Sequence, residues 1–244
     1  MTNGIPCHIN EPLLYIIHMS GSRPHGKQHT KAWLRSLPYK PIHALDVGTG
    51  DGKYQRLLLQ VFPNRFSIEG GTTVCQSGFH IEGIEIWKPY IERFNLEQRY
   101  DEIYNIDARK FDWTGKQYDV VFCGDVLEHM SKEDAVELVR NASLHSRHVL
   151  INIPIYHAEQ GAEAGNPYET HVKPDWTHDE VMATWPMLKR IDDSGKNMHL
   201  KGVYVLNCIS AVVQEMFDED MAKKCDNIIM YGNPEGKHQQ EFKT

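Results

Sequence analysis

Residues Ala44 to Lys53 read Ala-Leu-Asp-Val-Gly-Thr-Gly-Asp-Gly-Lys, an apolar run that passes through Gly48, Gly50 and Gly52 directly into a helical pattern. Glycines let a backbone turn sharply and come close to a ligand, and the N–H groups opening the next helix favour negative charge. Glu85 ends a second apolar run and is followed by Ile86 and Trp87. A carboxylate at such an edge can hold the two hydroxyls of a ribose. Asp107, before Ala108, ends a third run and could receive an adenine amino group; Trp87 could stack over adenine or pack as core. A glycine turn and two acids at three strand ends would line one crevice, and the ligand they imply is an adenosine derivative. Glu85 lies 35 residues after Gly50, and the glycines do not follow the Gly-x-Gly-x-x-Gly spacing, so a nicotinamide dinucleotide site is disfavoured.

These residues require an α/β frame, and the chain supplies its pattern. Apolar runs at 42–47, 81–86, 102–106, 118–123 and 148–153 alternate with helical stretches, the order of βα units and a mainly parallel sheet. Tyr54, Leu57, Leu58 and Val61 make an i, i+3, i+4, i+7 stripe ending before Pro63; Pro89 suits a helix first turn. Ser131-x-x-Asp134 and Thr177-x-x-Glu180 are helix-capping patterns, and 188–191 with 203–206 predict a hairpin around Asp193-Ser-Gly195. The expected organisation is a basic arm with a short helix over 1–40, a core over 41–206, and a C-terminal helix with a polar tail over 207–244.

The 244 residues are 41% hydrophobic and 24% charged, as expected of one compact soluble domain. A net charge of −7 disfavours a broad nucleic-acid-binding surface. The basic charge concentrates locally: Arg23, Lys27, Lys31, Arg35 and Lys40 lie in an acid-free stretch, either a solvated arm or a flap over an anionic substrate. Five cysteines without a CxxC pair suggest a reducing, cytoplasmic setting, and no apolar stretch is long enough for a membrane span. No metal is expected: Gly26 separates His25 from His29, and His145 with His148 flanks a strand start.

Four motifs in order make the chain resemble the class I S-adenosylmethionine (SAM)-dependent methyltransferases: Leu45 to Gly52, Gly83-Ile-Glu-Ile86, Ile106-Asp-Ala108, and Tyr118 to His129. The resemblance implies a Rossmann-like, doubly wound, seven-stranded sheet with an antiparallel last strand, and SAM as cofactor. It implies a cofactor site that includes Asp46, Gly48, Thr49, Gly50, Gly52, Glu85, Ile86, Asp107, Ala108, Gly124 and Asp125, with Gly48 and Gly50 at the methionine part and Gly124 at its amino group. The segment 64–80 is longer than the family's usual connection; an inserted hairpin keeps Glu85 in its role, whereas a shifted strand would pass it to Glu69.

In such an enzyme the cofactor brings the reactive carbon, and the protein orients the acceptor and removes its proton. Asp125, His129, His157 and His171 are the general-base candidates, with Asp125 also able to orient the cofactor's ammonium or cap a helix. The Gly-, Pro- and His-rich segment 154–176 is too long for a plain connection and reads as an acceptor lid. Asn152-Ile-Pro-Ile-Tyr156 departs from the Asn-Pro-Pro-Tyr of enzymes that methylate base amino groups. The acceptor expected is a small molecule or glycan methylated on oxygen; nitrogen methylation of nucleic acid or protein, or a silent SAM-binding module, are the alternatives.

Overall fold

A computed structural model describes residues 26–38, 43–63, 65–69, 72–76, 79–192 and 201–208, with the backbone alone for 65–69 and 72–76. Arg23, Lys40, the turn at 193–195 and the expected C-terminal helix and tail lie outside these residues. Nine strands and five α-helices are described, with short 3₁₀ turns between them.

Strands β1 (His43–Val47), β4 (His80–Ile84), β5 (Glu102–Tyr104), β6 (Tyr118–Gly124), β7 (Ser146–Pro154), β8 (Lys189–Arg190) and β9 (Lys201–Asn207) form one sheet in the order β5-β4-β1-β6-β7-β9-β8. The pairs from β5 through β7 are parallel, and β9 runs antiparallel to both of its neighbours. This is the expected doubly wound sheet with an antiparallel last strand. Residues 65–76 form the inserted hairpin, β2 (Arg65–Glu69) and β3 (Thr72–Gln76), a separate two-stranded sheet, so the strand preceding Glu85 stays where the apolar run put it.

Period-2 alternation sends side chains from each central strand to opposite faces. Leu45, Val47, Val121 and Cys123 join one core with α4 (Lys132–Leu144) and α5 (His178–Thr184). Ala44, Val120 and Phe122 join a second core with α1 (Lys27–Ser36), α2 (Lys53–Val61) and α3 (Lys88–Arg93). The capping patterns hold: the Ser131 side chain accepts from the Asp134 N–H, and Thr177 from that of Glu180. No described helix is long and apolar enough to cross a membrane.

Candidate active site

The carboxyl ends of β1, β4, β5 and β6 open on a cleft of about 1240 Å³. At the end of β1 the chain turns through Gly48 and Gly50, both at positive φ (69° and 52°), and the N–H groups of Gly48 and Thr49 both donate to the Ile84 carbonyl. Nothing lies within 4 Å of where a Cβ on Gly50 would be, so glycine here satisfies the backbone and leaves the floor of the cleft clear.

Glu85, just beyond β4, knits the turn to the neighbouring strand. Its Oε2 accepts from the Gly50 N–H (2.9 Å) and the Thr49 hydroxyl (3.3 Å), and its Oε1 from the Trp87 N–H (2.8 Å). Burial raises its pKa against these three donors. A carboxylate offers about four acceptor positions, so one remains for a hydroxyl from the cleft. Ile86 lines the cleft beside it, whereas Trp87 does not; its ring tilts against Tyr168, 6.0 Å between centroids. Asp107 and Ala108 line the cleft after β5, and the Asp107 carboxylate is gripped by Arg109, which holds its pKa down.

Asp46 and Gly52 also fall outside the lining. Asp46 is buried, accepts the Tyr100 hydroxyl (2.6 Å), and is pushed up to about 7 by that burial. Gly52 precedes α2 at φ 75° and packs against the Arg99 guanidinium. Both support the turn rather than face the cavity. Gly124, which does line it, has no room for a side chain: a Cβ would sit 1.9 Å from the Tyr54 ring.

The other end of the cleft is built after β6. Asp125 adopts φ 59°, a left-handed conformation that Asp tolerates better than most residues, with its N–H bonded to the Asn152 carbonyl at 2.7 Å. Its carboxylate pairs with Lys201 at the start of β9 and lies 3.7 Å from Lys27 on α1. Lys27 is therefore turned inward, over the Tyr54 ring, and not outward as a flap cation. A 3₁₀ turn, Leu127–His129, follows. Val172 and Lys173 of the long loop donate their N–H groups to the Glu128 carbonyl, which brings His171 beside His129 with ring centroids 4.9 Å apart. Burial lowers the His129 pKa, keeping the ring neutral, and raises the Glu128 carboxyl to about 8, reinforced by nearby Asp125. His157 lines the same cleft but is exposed and pairs with Glu159 (3.2 Å), away from the Glu128, His129 and His171 cluster.

The loop is ordered and anchored. Its end residue Trp176 is 1% exposed and stacks on Trp185, and Glu169 accepts the Tyr90 hydroxyl at 3.0 Å, tying the loop to α3. Reading single residues missed Glu128 and Lys201. The pattern Asp125-x-x-Glu128-His129 directly after a strand was the available signal for the first; Lys201 had none beyond its place at the start of a strand.

No protein-family model and no curated protein matches the sequence. Solved structures do match. The N-terminal domain of EvdMO1, determined with SAH and D-fucose, aligns with a TM-score of 0.53 at 14% identity, over 75% of this chain and 82% of that one. The plantazolicin methyltransferase BpumL in complex with SAH gives 0.52 at 12% identity, over 75% and 82%. A SAM-dependent methyltransferase from Clostridium acetobutylicum gives 0.52 at 10%, over 75% and 90%. The chain thus has the fold of SAM-dependent methyltransferases, with its cleft at the same carboxyl edge where open α/β sheets bind ligands.

Proposed function

We infer that the protein is a SAM-dependent methyltransferase acting on an oxygen of a small molecule or sugar. The observation that carries this reading is the Glu85 bridge: one buried carboxylate fastens the glycine turn after β1 to the end of β4, with acceptor capacity left toward the cleft and Asp107 beyond it. In this reading the ribose lies at Glu85, the adenine at Ile86, Asp107 and Ala108, and the methionine part between Gly48 and Gly124. The cavity exceeds the ~300–1,000 Å³ usual for one small ligand, which leaves room for an acceptor beside the cofactor.

Methyl transfer is an in-line displacement. The acceptor oxygen forms the new C–O bond as the C–S bond breaks, its electron pair stays on sulfur, and the hydroxyl proton departs. Asp125 is a poor base for that proton because Lys201 and Lys27 already compensate its charge. His129 and His171 are the better candidates, either as bases or as groups that make the hydroxyl more acidic. The loop 154–176 is the acceptor wall and lid. One fold neighbour was determined in the presence of a sugar, D-fucose, which supports this choice. Cys123 and Cys208, both free thiols, suit a reducing compartment.

Calorimetric titration with SAM, with its demethylated product, and with NADH as control tests the reading. Micromolar binding of the first two alone is expected, and turnover on a panel of hydroxylated acceptors then separates an enzyme from a silent binding module. Absence of binding to both would overturn it.

A further inference from the structure

Glu128, His129 and His171 line one wall of the cleft, and one potential ligating atom of each lies within 4.8 Å of the other two. Both imidazoles place Nδ1 beside a backbone carbonyl. His129 Nδ1 lies 3.2 Å from the Thr170 carbonyl oxygen and His171 Nδ1 lies 2.5 Å from that of Ala158. A carbonyl only accepts, so each Nδ1 carries a proton, and a ring with no second proton offers its Nε2 lone pair. A backbone carbonyl on the far nitrogen is the usual way in which a metal-ligating histidine is oriented.

The third member gives an independent indication. Glu128 is 2% exposed, and its Oε2 accepts no hydrogen bond among the described residues. A buried carboxyl oxygen without a hydrogen-bond partner is costly. A second trio with the same residue types, His43, His80 and Glu82, shows the contrast. There Glu82 accepts from Tyr104, Lys116 and Tyr118 and is bonded to His43, so its oxygens are already satisfied. The two carboxyl groups differ in this respect: the Glu82 oxygens have donors, whereas Glu128 Oε2 has none among the described residues and lies with two histidines in the cleft wall.

We propose that Glu128, His129 and His171 bind a divalent transition-metal ion. Two imidazole nitrogens and one carboxylate suit zinc, manganese, iron, cobalt or nickel better than magnesium or calcium, which prefer oxygen ligands throughout. The three ligands come from one wall, which leaves positions open toward the cleft. The ion's chemical role rests on the methyltransferase reading: an acceptor hydroxyl at an open position becomes more acidic, and its proton leaves to solvent water as the oxygen attacks the methyl carbon. The binding itself does not depend on that reading.

The test is titration of the full chain, stripped with chelator and dialysed, with Co²⁺ followed by its visible absorption, then displacement by Zn²⁺. One saturable equivalent at micromolar affinity is expected, weakened at least tenfold in Glu128→Gln and in His171→Ala. His171 sits on the loop, so its variant keeps the test usable if Glu128→Gln fails to fold; circular dichroism reports folding in each. His43→Ala should leave the affinity unchanged. The proposal is overturned by absence of saturable Co²⁺ binding, by unchanged affinity in folded His171→Ala, or by loss of binding in His43→Ala instead. SAM titration of the same samples keeps the two readings apart: cofactor binding without Co²⁺ binding removes the metal alone, and the reverse removes the methyltransferase.

Discussion

Glu85 does two jobs with one carboxylate, and its substitution separates them. In Glu85→Gln one oxygen becomes an NH₂ group, which must face either the Gly50 or the Trp87 N–H and cannot accept from it. Loss of a charge-assisted bond to the ribose is expected to weaken SAM binding by roughly 1.5–3 kcal/mol, about ten- to a hundred-fold, in a calorimetric titration. Wild-type affinity would mean that the ribose lies elsewhere. Glu85 was legible in the sequence because its meaning is local: an acid closing an apolar run, opposite a glycine turn. Glu128 was not, because what distinguishes it is a missing donor in a folded interior and a histidine carried in from a distant loop. Trp87 was open to two readings by its type, stacking on adenine or packing, and here its N–H donates to the Glu85 carboxylate while its ring meets Tyr168.

Among elements, helix starts were read most reliably, since capping is decided by residues three apart. Ser131 accepts from the Asp134 N–H at 3.1 Å, with Glu133 and Asp134 in the first turn of α4. Ser131→Ala is expected to destabilise the fold by about 1 kcal/mol, seen as a lower denaturant midpoint with unchanged slope, while Ser131→Asp should hold stability near wild type. Equal midpoints for Ala and Ser would show that the cap is idle. Strand ends were read less well. The second run extends to Ile86 by hydropathy, yet β4 stops at Ile84; Glu85 still donates its N–H to the Tyr104 carbonyl of β5 while its carboxylate braces the glycine turn. The hairpin of β2 and β3 showed in the sequence only as excess length between a helix and a strand; the pairing of β8 with β9 agrees with the hairpin expected of 188–191 with 203–206, while the pairing of β9 with β7 showed in no local pattern.

At the scale of the whole molecule, the sheet carries its chemistry on one edge and a polar knot on the other. Glu82 in the middle of β4 is 4% exposed; burial pushes its carboxyl up, but donors from Tyr118, Lys116, His43 and Tyr104 outweigh that and hold it at about 2. Because the folded value lies below the ordinary 4.5, the stabilisation is complete above pH 4.5 and is lost as pH falls toward 2. Roughly 3 kcal/mol of acid-dependent stability is expected from this one group, and Glu82→Gln should flatten that limb of a denaturation series run from pH 6 to 2. An unchanged acid limb would assign the knot no such role. The position of β9 has a consequence for how the chain is made. Among the described residues strand β8 pairs only with β9, and Lys201, the close partner of Asp125, is the first residue of β9. During synthesis from the N-terminus, β7 therefore waits with a bare edge and Asp125 waits without its nearer cation until residues 201–207 have left the ribosome. The site is assembled by the strand that is translated after all its other described parts, so a nascent chain halted before that strand holds the glycine turn but not the finished pocket.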